Sequence, residues 1–254
     1  KGKKMSKSVG NVISPEQIVK EYGADILRWW IASSDLKNDI ALSKNVLNQA
    51  RDTFSKVRNT IRFCLSNLFD FEESDSIAYA DQNELDRWAL LKLYELDSAV
   101  KQAYDSYDFH RVTQSLHDFC AITLSSLYLD MTKDRLYCDA KTGHNRRSTQ
   151  TTLHIICRRL IQLASPILVH TSEDAFRHFK LENKTESIHL DTLSPLPNAY
   201  QNEALKTKWD TLLSIKDAVY QQLEPLRKDK VIKSFLEATV TLTLDSPIDF
   251  DDWE

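Results

Sequence analysis

The first residues of this 254-residue chain that could do chemistry are two lysines three positions apart, in the pentapeptide Lys4-Met5-Ser6-Lys7-Ser8. Glycine and serine flank them, so the segment is predicted to be a loop. In such a loop two ammonium groups can approach one polyphosphate, because lysine acts there as a mobile point charge. The lysine spacing alone leaves a second interpretation open, in which this is a solvated, lysine-rich end of the chain.

Glycine is scarce in the rest of the sequence. The chain has only 4 glycines, whereas average usage would give roughly eighteen in this length. Glycine-rich phosphate loops and the dinucleotide fingerprint need several glycines close together, and here Gly2, Gly10, Gly23 and Gly143 are scattered. We therefore expect no complete nucleotide-binding domain.

Charge, cysteine spacing and hydropathy exclude further classes of protein. The chain has 33 basic and 37 acidic residues, a formal net charge of -4, which argues against a uniformly basic protein but allows a local basic face. None of the 4 cysteines has the C-x-x-C spacing of a zinc site, so we predict reduced thiols, no metal and a cytoplasmic location. No apolar run could span a bilayer, so we expect no membrane contact.

Hydrophobic periodicity predicts a mainly α-helical protein. Four long stretches carry apolar residues every three or four positions, and short polar connections separate them. They run from about Val46 to Leu68, Leu85 to Tyr107, Val112 to Met131 and Leu153 to Ala164. An antiparallel helical bundle over residues 43–195 is the natural packing of such stretches. Before it, Ser14 and Gln17 predict a capping box at the start of a short helix.

The last part of the chain has a different pattern. Residues 196–254 begin with a proline-marked linker, and a helix is predicted from about Asn202 to Leu223. Residues 238–244 alternate strictly between apolar side chains and threonine, which predicts a β-strand. Since little sequence remains to pair with that strand, we expect a truncated α+β appendage.

The pentapeptide at Lys4 reads KMSKS and resembles the signature of class I aminoacyl-tRNA synthetases. The residues that follow it, through Gly23-Ala24-Asp25 and Leu27-Arg28, are similar to those of bacterial isoleucyl-tRNA synthetases. The similarity extends to about residue 180. Its further segments are Arg58-Asn59-Thr60, Asp86-Arg87-Trp88, Tyr107-Asp108-Phe109-His110, Tyr128-Leu129-Asp130 and Arg146-Arg147-Ser148.

The resemblance implies that the full-length parent is an ATP-dependent isoleucine–tRNA ligase that uses ATP with magnesium. Lys7 would be the catalytic lysine that stabilises charge as pyrophosphate leaves, and Lys4, Met5, Ser6 and Ser8 would share its mobile ATP loop. In that family a His-Ile-Gly-His motif and an editing domain precede KMSKS, and a cysteine-ligated zinc module comes last. We therefore expect a fragment without the catalytic core, inactive alone and with no bound cofactor.

The resemblance also implies where RNA would bind. Residues 1–42 would form the KMSKS loop and a stem-contact segment, and the bundle would be the anticodon-binding domain for tRNA(Ile) in a monomer that does not bind DNA. The basic candidates for RNA contact are Arg58, Arg62, Lys133, Arg135, Arg146 and Arg147, followed by Arg158 and Arg159. Any one of them could instead lie on an ordinary solvated helix face. Tyr128 and Tyr137 could stack on bases, although core packing is the more common role of such residues.

Two alternatives remain open at this stage. The parent could be a leucyl, valyl or methionyl enzyme, since the amino-acid pocket lies outside this chain. The chain could also be a helical protein-interaction scaffold in which KMSKS is accidental. A contiguous basic strip on the bundle would favour RNA binding, whereas a large exposed apolar patch would favour the scaffold.

Overall fold

The computed structural model describes residues 4–35 and 38–243. In this part of the chain no β-strand is formed, and the predicted mainly α-helical fold is confirmed. The α-helices are α1 Pro15–Tyr22, α2 Ala24–Ala32, α3 Lys44–Asn67, α4 Glu84–Asp105, α5 Phe109–Asp118, α6 Leu129–Met131, α7 Lys133–Tyr137, α8 His144–Ala164, α9 Val169–His178 and α10 Glu203–Lys228. A π-helix, Phe119–Tyr128, lies between α5 and α6.

The chain forms two compact units, residues 1–201 and residues 202–254. The first unit extends past the bundle boundary that the sequence predicts at residue 195. The reason is that Leu196 and Tyr200 are buried, and the Tyr200 ring lies 5.1 Å from that of Tyr79. The second unit comprises α10 and the segment that follows it.

The bundle core of the first unit is built from α3, α4, α5 and α8. Helix α3 begins where the Ser43 hydroxyl accepts a hydrogen bond from the Val46 amide, as an N-cap. Its apolar face repeats every three or four residues, so Phe54, Val57 and Ile61 are buried on one side. The same periodicity buries the apolar faces of α4 and α8, which leaves the opposite face of α3 to solvent.

The third predicted helix has a different register from the one that periodicity suggests. Over Phe119–Tyr128 each turn contains more residues than an α-helix, and the Ser125 hydroxyl donates to the Cys120 carbonyl five residues back at 2.7 Å. The wider turns rotate the following side chains by about one position. Leu124 and Tyr128 are therefore fully buried, whereas the preceding residues Thr123 and Leu127 are only partly buried.

Two side chains of α2 fasten the N-terminal segment to the bundle at the break between α8 and α9. The Asp25 carboxylate accepts hydrogen bonds from the backbone amide and the hydroxyl of Thr171, both at 2.6 Å. One turn later, Arg28 donates to the carbonyls of Pro166 and Ile167, each at 2.8 Å. Thr171 lies in the first turn of α9, so the Asp25 carboxylate caps the start of that helix. The predicted capping box at the start of α1 is present.

The second unit differs from its sequence prediction in two ways. Helix α10 continues to Lys228, five residues beyond the predicted end, although it contains Pro225. The strand predicted over residues 238–244 is not formed at positions 238–243, and position 244 lies outside the described residues. A strand needs a partner for its backbone groups, and no described segment supplies one.

Candidate nucleic-acid interface

The KMSKS pentapeptide folds into a compact turn that one asparagine closes. The Ser6 amide donates to the Asn11 side chain at 2.8 Å, and that side chain donates to the Lys4 carbonyl at 3.3 Å. A single 3-10 turn, Lys7–Val9, ends at Gly10, whose φ of 70° lies in the left-handed region that favours glycine. The loop backbone is therefore fixed by local bonds while its side chains stay outside.

Both lysines of this loop are exposed. Neither Lys4 nor Lys7 forms an ion pair with another residue of the described ranges. The Ser6 and Ser8 hydroxyls lie 2.6 Å apart beside them. Two unpaired ammonium groups next to hydroxyl donors fit the oxygens of a polyphosphate, so these residues could hold one end of ATP.

The outer face of α3 carries a row of four exposed cations, which we call the basic strip: Lys44, Arg51, Arg58 and Arg62. Spacings of seven, seven and four residues place them on one side of the helix, and a rise of 1.5 Å per residue makes the row about 27 Å long. Helix α3 contains five basic residues and only one acid, Asp52, which lies 3.4 Å from Arg51. The strip is therefore a local basic face on a chain of net charge -4.

Two aromatic side chains are exposed at the end of α3 and the end of α7. Phe69 is 64% exposed and Tyr137 is 63% exposed. The guanidinium of Arg146 donates to both carboxylate oxygens of Asp70, at 2.9 and 3.0 Å, and to the Leu136 carbonyl at 3.2 Å. Because Asp70 and Leu136 each adjoin one of the aromatic residues, Arg146 joins the two chain segments that carry the rings.

Arg146 and Arg147, which the sequence suggested as RNA contacts, are committed to protein partners. Arg146 is only 5% exposed. Arg147 donates to the Asp70 carbonyl at 3.0 Å and to the Gln150 side chain at 2.8 Å. Burial by itself raises the pKa of Asp70, but the hydrogen bonds from Arg146 and Gln150 outweigh it and hold that pKa below its ordinary value. This geometry favours a positioning role for both arginines.

Of the next two basic candidates, one is exposed and the other points into the protein. Lys133 is exposed and bonded to Asp130 at 2.7 Å. Arg135 instead points inward, 3.8 Å from the fully buried carboxylate of Asp86, which accepts the Tyr128 hydroxyl at 2.6 Å. Burial raises the pKa of Asp86. Tyr128 is thus a core residue, and Arg135 lies beside a buried acid rather than at an exposed position.

Arg158 and Arg159 are also paired within the fold. Arg158 lies 3.4 Å from Asp191. Arg159 lies 3.3 Å from Asp97 and donates to a backbone carbonyl at 2.7 Å. Of the eight basic candidates named from the sequence, Arg58 and Arg62 are the pair that stays exposed without an ion pair to any described residue.

Sequence reasoning missed Lys44, Arg51 and Phe69. The signal for the first two was the seven-residue spacing that leads to Arg58, which places all three on one helix face. Phe69 follows the helix directly and had no distinguishing pattern, because a phenylalanine next to an apolar stripe is usually a core residue.

Residues 4–35 and 38–243 contain no group of three or more histidine, cysteine or acidic side chains arranged to hold a metal ion. The helices described there include none that is both long and apolar enough to cross a bilayer. Three free cysteines, Cys64, Cys120 and Cys157, are buried, and Cys138 is exposed.

Two known protein families match this chain. The family described as the anticodon-binding domain of tRNA ligase matches residues 86–242, and the class I tRNA synthetases (I, L, M and V) match residues 1–43. The isoleucine–tRNA ligase of Carboxydothermus hydrogenoformans is 44% identical over 243 residues, covering 95% of this chain and 26% of the relative. That of Petrotoga mobilis is 43% identical over 244 residues, covering 96% of this chain and 27% of the relative. The chain thus spans about a quarter of the length of these relatives.

A solved structure shows the same fold at low sequence identity. It is the ternary complex of the agnB2 LeuRS of Agrobacterium radiobacter K84 with tRNA and LeuAMS. The TM-score is 0.61 at 19% identity, with 79% of this chain and 23% of that chain covered. At this identity the likeness concerns the fold alone.

Proposed function

This chain belongs to the anticodon-binding domain family of tRNA ligases, and we propose that it is the tRNA-reading part of an isoleucine–tRNA ligase. The parent would activate isoleucine with ATP and transfer it to tRNA(Ile). The names and identities of the relatives support isoleucine over leucine, valine or methionine as the amino acid. The parent would act as a monomer in the cytoplasm.

The observation that carries this proposal is the basic strip on α3 together with the exposed rings of Phe69 and Tyr137. Single-stranded RNA presents phosphates that bind cations and unstacked bases that stack on aromatic rings. The strip supplies the cations, and the two rings supply flat apolar surfaces at the end of the bundle. Anticodon bases would stack on the rings while the adjoining backbone follows Arg58 and Arg62.

The KMSKS loop would serve the activation step of the parent. ATP with magnesium supplies the phosphate that isoleucine attacks and the pyrophosphate that leaves. Lys7, with Lys4 beside it, would neutralise charge that builds on those phosphates, and Ser6 and Ser8 would donate hydrogen bonds to them. Asn11 supports this role because it fixes the loop backbone and leaves both ammonium groups outside.

Binding of the chain to a tRNA(Ile) transcript, compared with the same transcript carrying a swapped anticodon, tests the proposal over a series of salt concentrations. We expect tighter binding to the correct anticodon. The salt slope, meaning the slope of the log of the binding constant against the log of the salt concentration, should fall in magnitude by about 1 for Arg58→Gln and for Arg62→Gln. Phe69→Ala and Tyr137→Ala should weaken binding with little change in slope, since stacking contributes roughly 1–3 kcal/mol per base.

The matched control is Arg177→Gln, which removes an arginine that is exposed but lies on α9 rather than on the strip. It should leave both the affinity and the slope unchanged. Equal binding to both anticodons, with no effect of the two aromatic variants, would sink the proposal that this end of the bundle reads bases.

A further inference from the structure

The C-terminal end of α10 presents three cations that the proposed function has not used. Lys228, Lys230 and Lys233, which we call the lysine hook, are exposed and form no ion pair with another described residue. Arg227, on the same turn, differs from them because it binds both oxygens of Glu224, at 2.7 and 2.9 Å. The hook therefore carries a net positive charge.

Lys230 adopts a backbone conformation that a lysine rarely takes. Its φ is 58°, in the left-handed region, at the position just past the end of α10. The Lys230 amide donates to the Arg227 carbonyl at 3.1 Å, and the Val231 amide donates to the Leu226 carbonyl at 2.9 Å. Glycine or asparagine usually fills this position, because side chains with a Cβ are strained there. The Lys230 side chain is exposed at this turn.

The turn that carries the hook is folded back and anchored on α10. The Phe235 ring stacks on Tyr220 with centroids 5.1 Å apart. Lys216 lies 5.2 Å from the Tyr220 ring, and Arg227 lies 5.9 Å from the Phe235 ring. Further along, the Lys233 amide donates to the Glu237 carboxylate at 2.9 Å. The hook is thus presented by a preorganised segment rather than by a free tail.

A groove of about 580 Å³ lies between α10 and the returning turn, and Lys228 lines it together with Tyr220 and Phe235. Two acids, Asp217 and Glu224, also line this groove. Each is already paired, Asp217 with the neighbouring Lys216 at 3.1 Å and Glu224 with Arg227. Asp229 is the acid that remains within the hook itself. With Arg227 paired to Glu224, residues 228–233 hold three lysines and one acid, so the net charge of the hook is positive.

We infer that the lysine hook is a second RNA contact, which holds phosphates of the same tRNA at a place remote in sequence from the basic strip. The inference rests on the proposed function for the identity of the RNA. Closely spaced, unpaired lysines on a fixed turn bind a phosphate backbone as point charges. An acidic peptide is the competing ligand class. RNA is favoured because the first unit already presents cations and rings suited to it.

The decisive variant is Lys230→Gly in the full 254-residue chain, because it should raise the stability of the chain while it weakens RNA binding. Glycine relieves the left-handed strain, so the urea midpoint of unfolding should rise. Loss of one phosphate contact should weaken binding to the tRNA(Ile) transcript about two- to five-fold and lower the salt slope by roughly 0.7–0.9. Lys230→Arg keeps the charge and should bind like the unchanged chain.

A matched control comes from the same helix. Lys206 is ion-paired with Asp210 at 2.6 Å, so Lys206→Gln should leave the salt slope unchanged. If Lys230→Gly binds the transcript with unchanged affinity and slope, Lys230 is only a helix-end residue and the inference is overturned. It is also overturned if polyglutamate displaces the transcript as well as an oligouridylate of equal charge does, because the surface would then select acidic chains in general.

Two sets of variants distinguish a failure of this inference from a failure of the proposed function. Arg58→Gln and Arg62→Gln are measured in the same assay. If only these strip variants weaken binding, the proposed function stands and the hook is not a contact. If only Lys230→Gly weakens it, the hook is the RNA contact and the proposed role of α3 is wrong.

Discussion

Arg146 and Asp70, 76 residues apart in sequence, form a two-pronged ion pair in which Nη1 and Nη2 lie 2.9 and 3.0 Å from the two carboxylate oxygens. Nε of the same guanidinium donates to the Leu136 carbonyl. One side chain therefore joins the loop after α3 to the end of α7. The positions of Phe69 and Tyr137, and with them the proposed base-stacking surface, depend on this junction.

Arg146→Gln should lower the free energy of unfolding by about 3 kcal/mol, because it leaves a half-buried carboxylate without its partner. Urea denaturation measures this loss. Arg177→Gln, at an exposed position, should change stability by less than about 0.5 kcal/mol. A stable Arg146→Gln protein whose tRNA salt slope had fallen by about 1 would show instead that Arg146 contacts phosphate, as the sequence first suggested.

Asp70 should make stability depend on pH in the acid range. Its pKa is lowered from 3.8 because the bonds and charges of Arg146, Gln150 and Arg147 outweigh the opposing effect of burial. The unfolded chain then takes up the proton more readily than the folded chain. The stabilisation is therefore present above about pH 4 and is lost as the pH falls through the lower folded pKa. Asp70→Asn should show a weaker acid dependence, and identical curves for both proteins would contradict this.

One thiol in the native protein should react rapidly with a thiol reagent. Cys138 is exposed, whereas Cys64, Cys120 and Cys157 are buried, and burial raises the pKa of the Cys120 and Cys157 thiols. Because the thiolate is the reactive form, these two should react only after unfolding, when all 4 cysteines become available. Cys138→Ser should remove the rapid phase, and a second rapid thiol in that variant would show that the core opens.

Asp25→Ala should destabilise the start of α9, because the amides of His170 and Thr171 lose their acceptor. The expected loss is about 1–3 kcal/mol, with a smaller loss for Asp25→Asn, which keeps one acceptor oxygen. Amide hydrogen exchange at His170 and Thr171 should be faster in the alanine variant. Unchanged exchange at both amides would mean that water replaces the carboxylate without cost.

Local patterns in the sequence correctly predict the helical elements and the loop that contains KMSKS. Helical periodicity marks buried faces such as that of Phe54, Val57 and Ile61, and the capping box at Ser14 forms as expected. Arg58 is exposed as its place on the amphipathic pattern implies. These features depend on residues within a few turns of one another, which is the range that a sequence pattern describes.

Contacts between residues far apart in the sequence could not be predicted from such local patterns. Nothing in the sequence near Asp70 indicates that its partner is an arginine 76 positions later. The π-helix shifted Leu124 and Tyr128 into the core because its hydrogen bonds span five residues rather than four. The predicted strand failed over its described part because alternation states a preference but cannot supply a pairing partner.

The fastening of α2 by Asp25 has a consequence for synthesis on the ribosome. Its partner Thr171 is made 146 residues later, which at 5–20 residues per second takes about 7 to 30 seconds. Trp29 can meet Thr53 of α3 well before then, yet the Asp25 and Arg28 side chains stay hydrated until the break between α8 and α9 has emerged. Helix α2 is therefore made well before the residues that fix its Asp25 and Arg28 side chains in place.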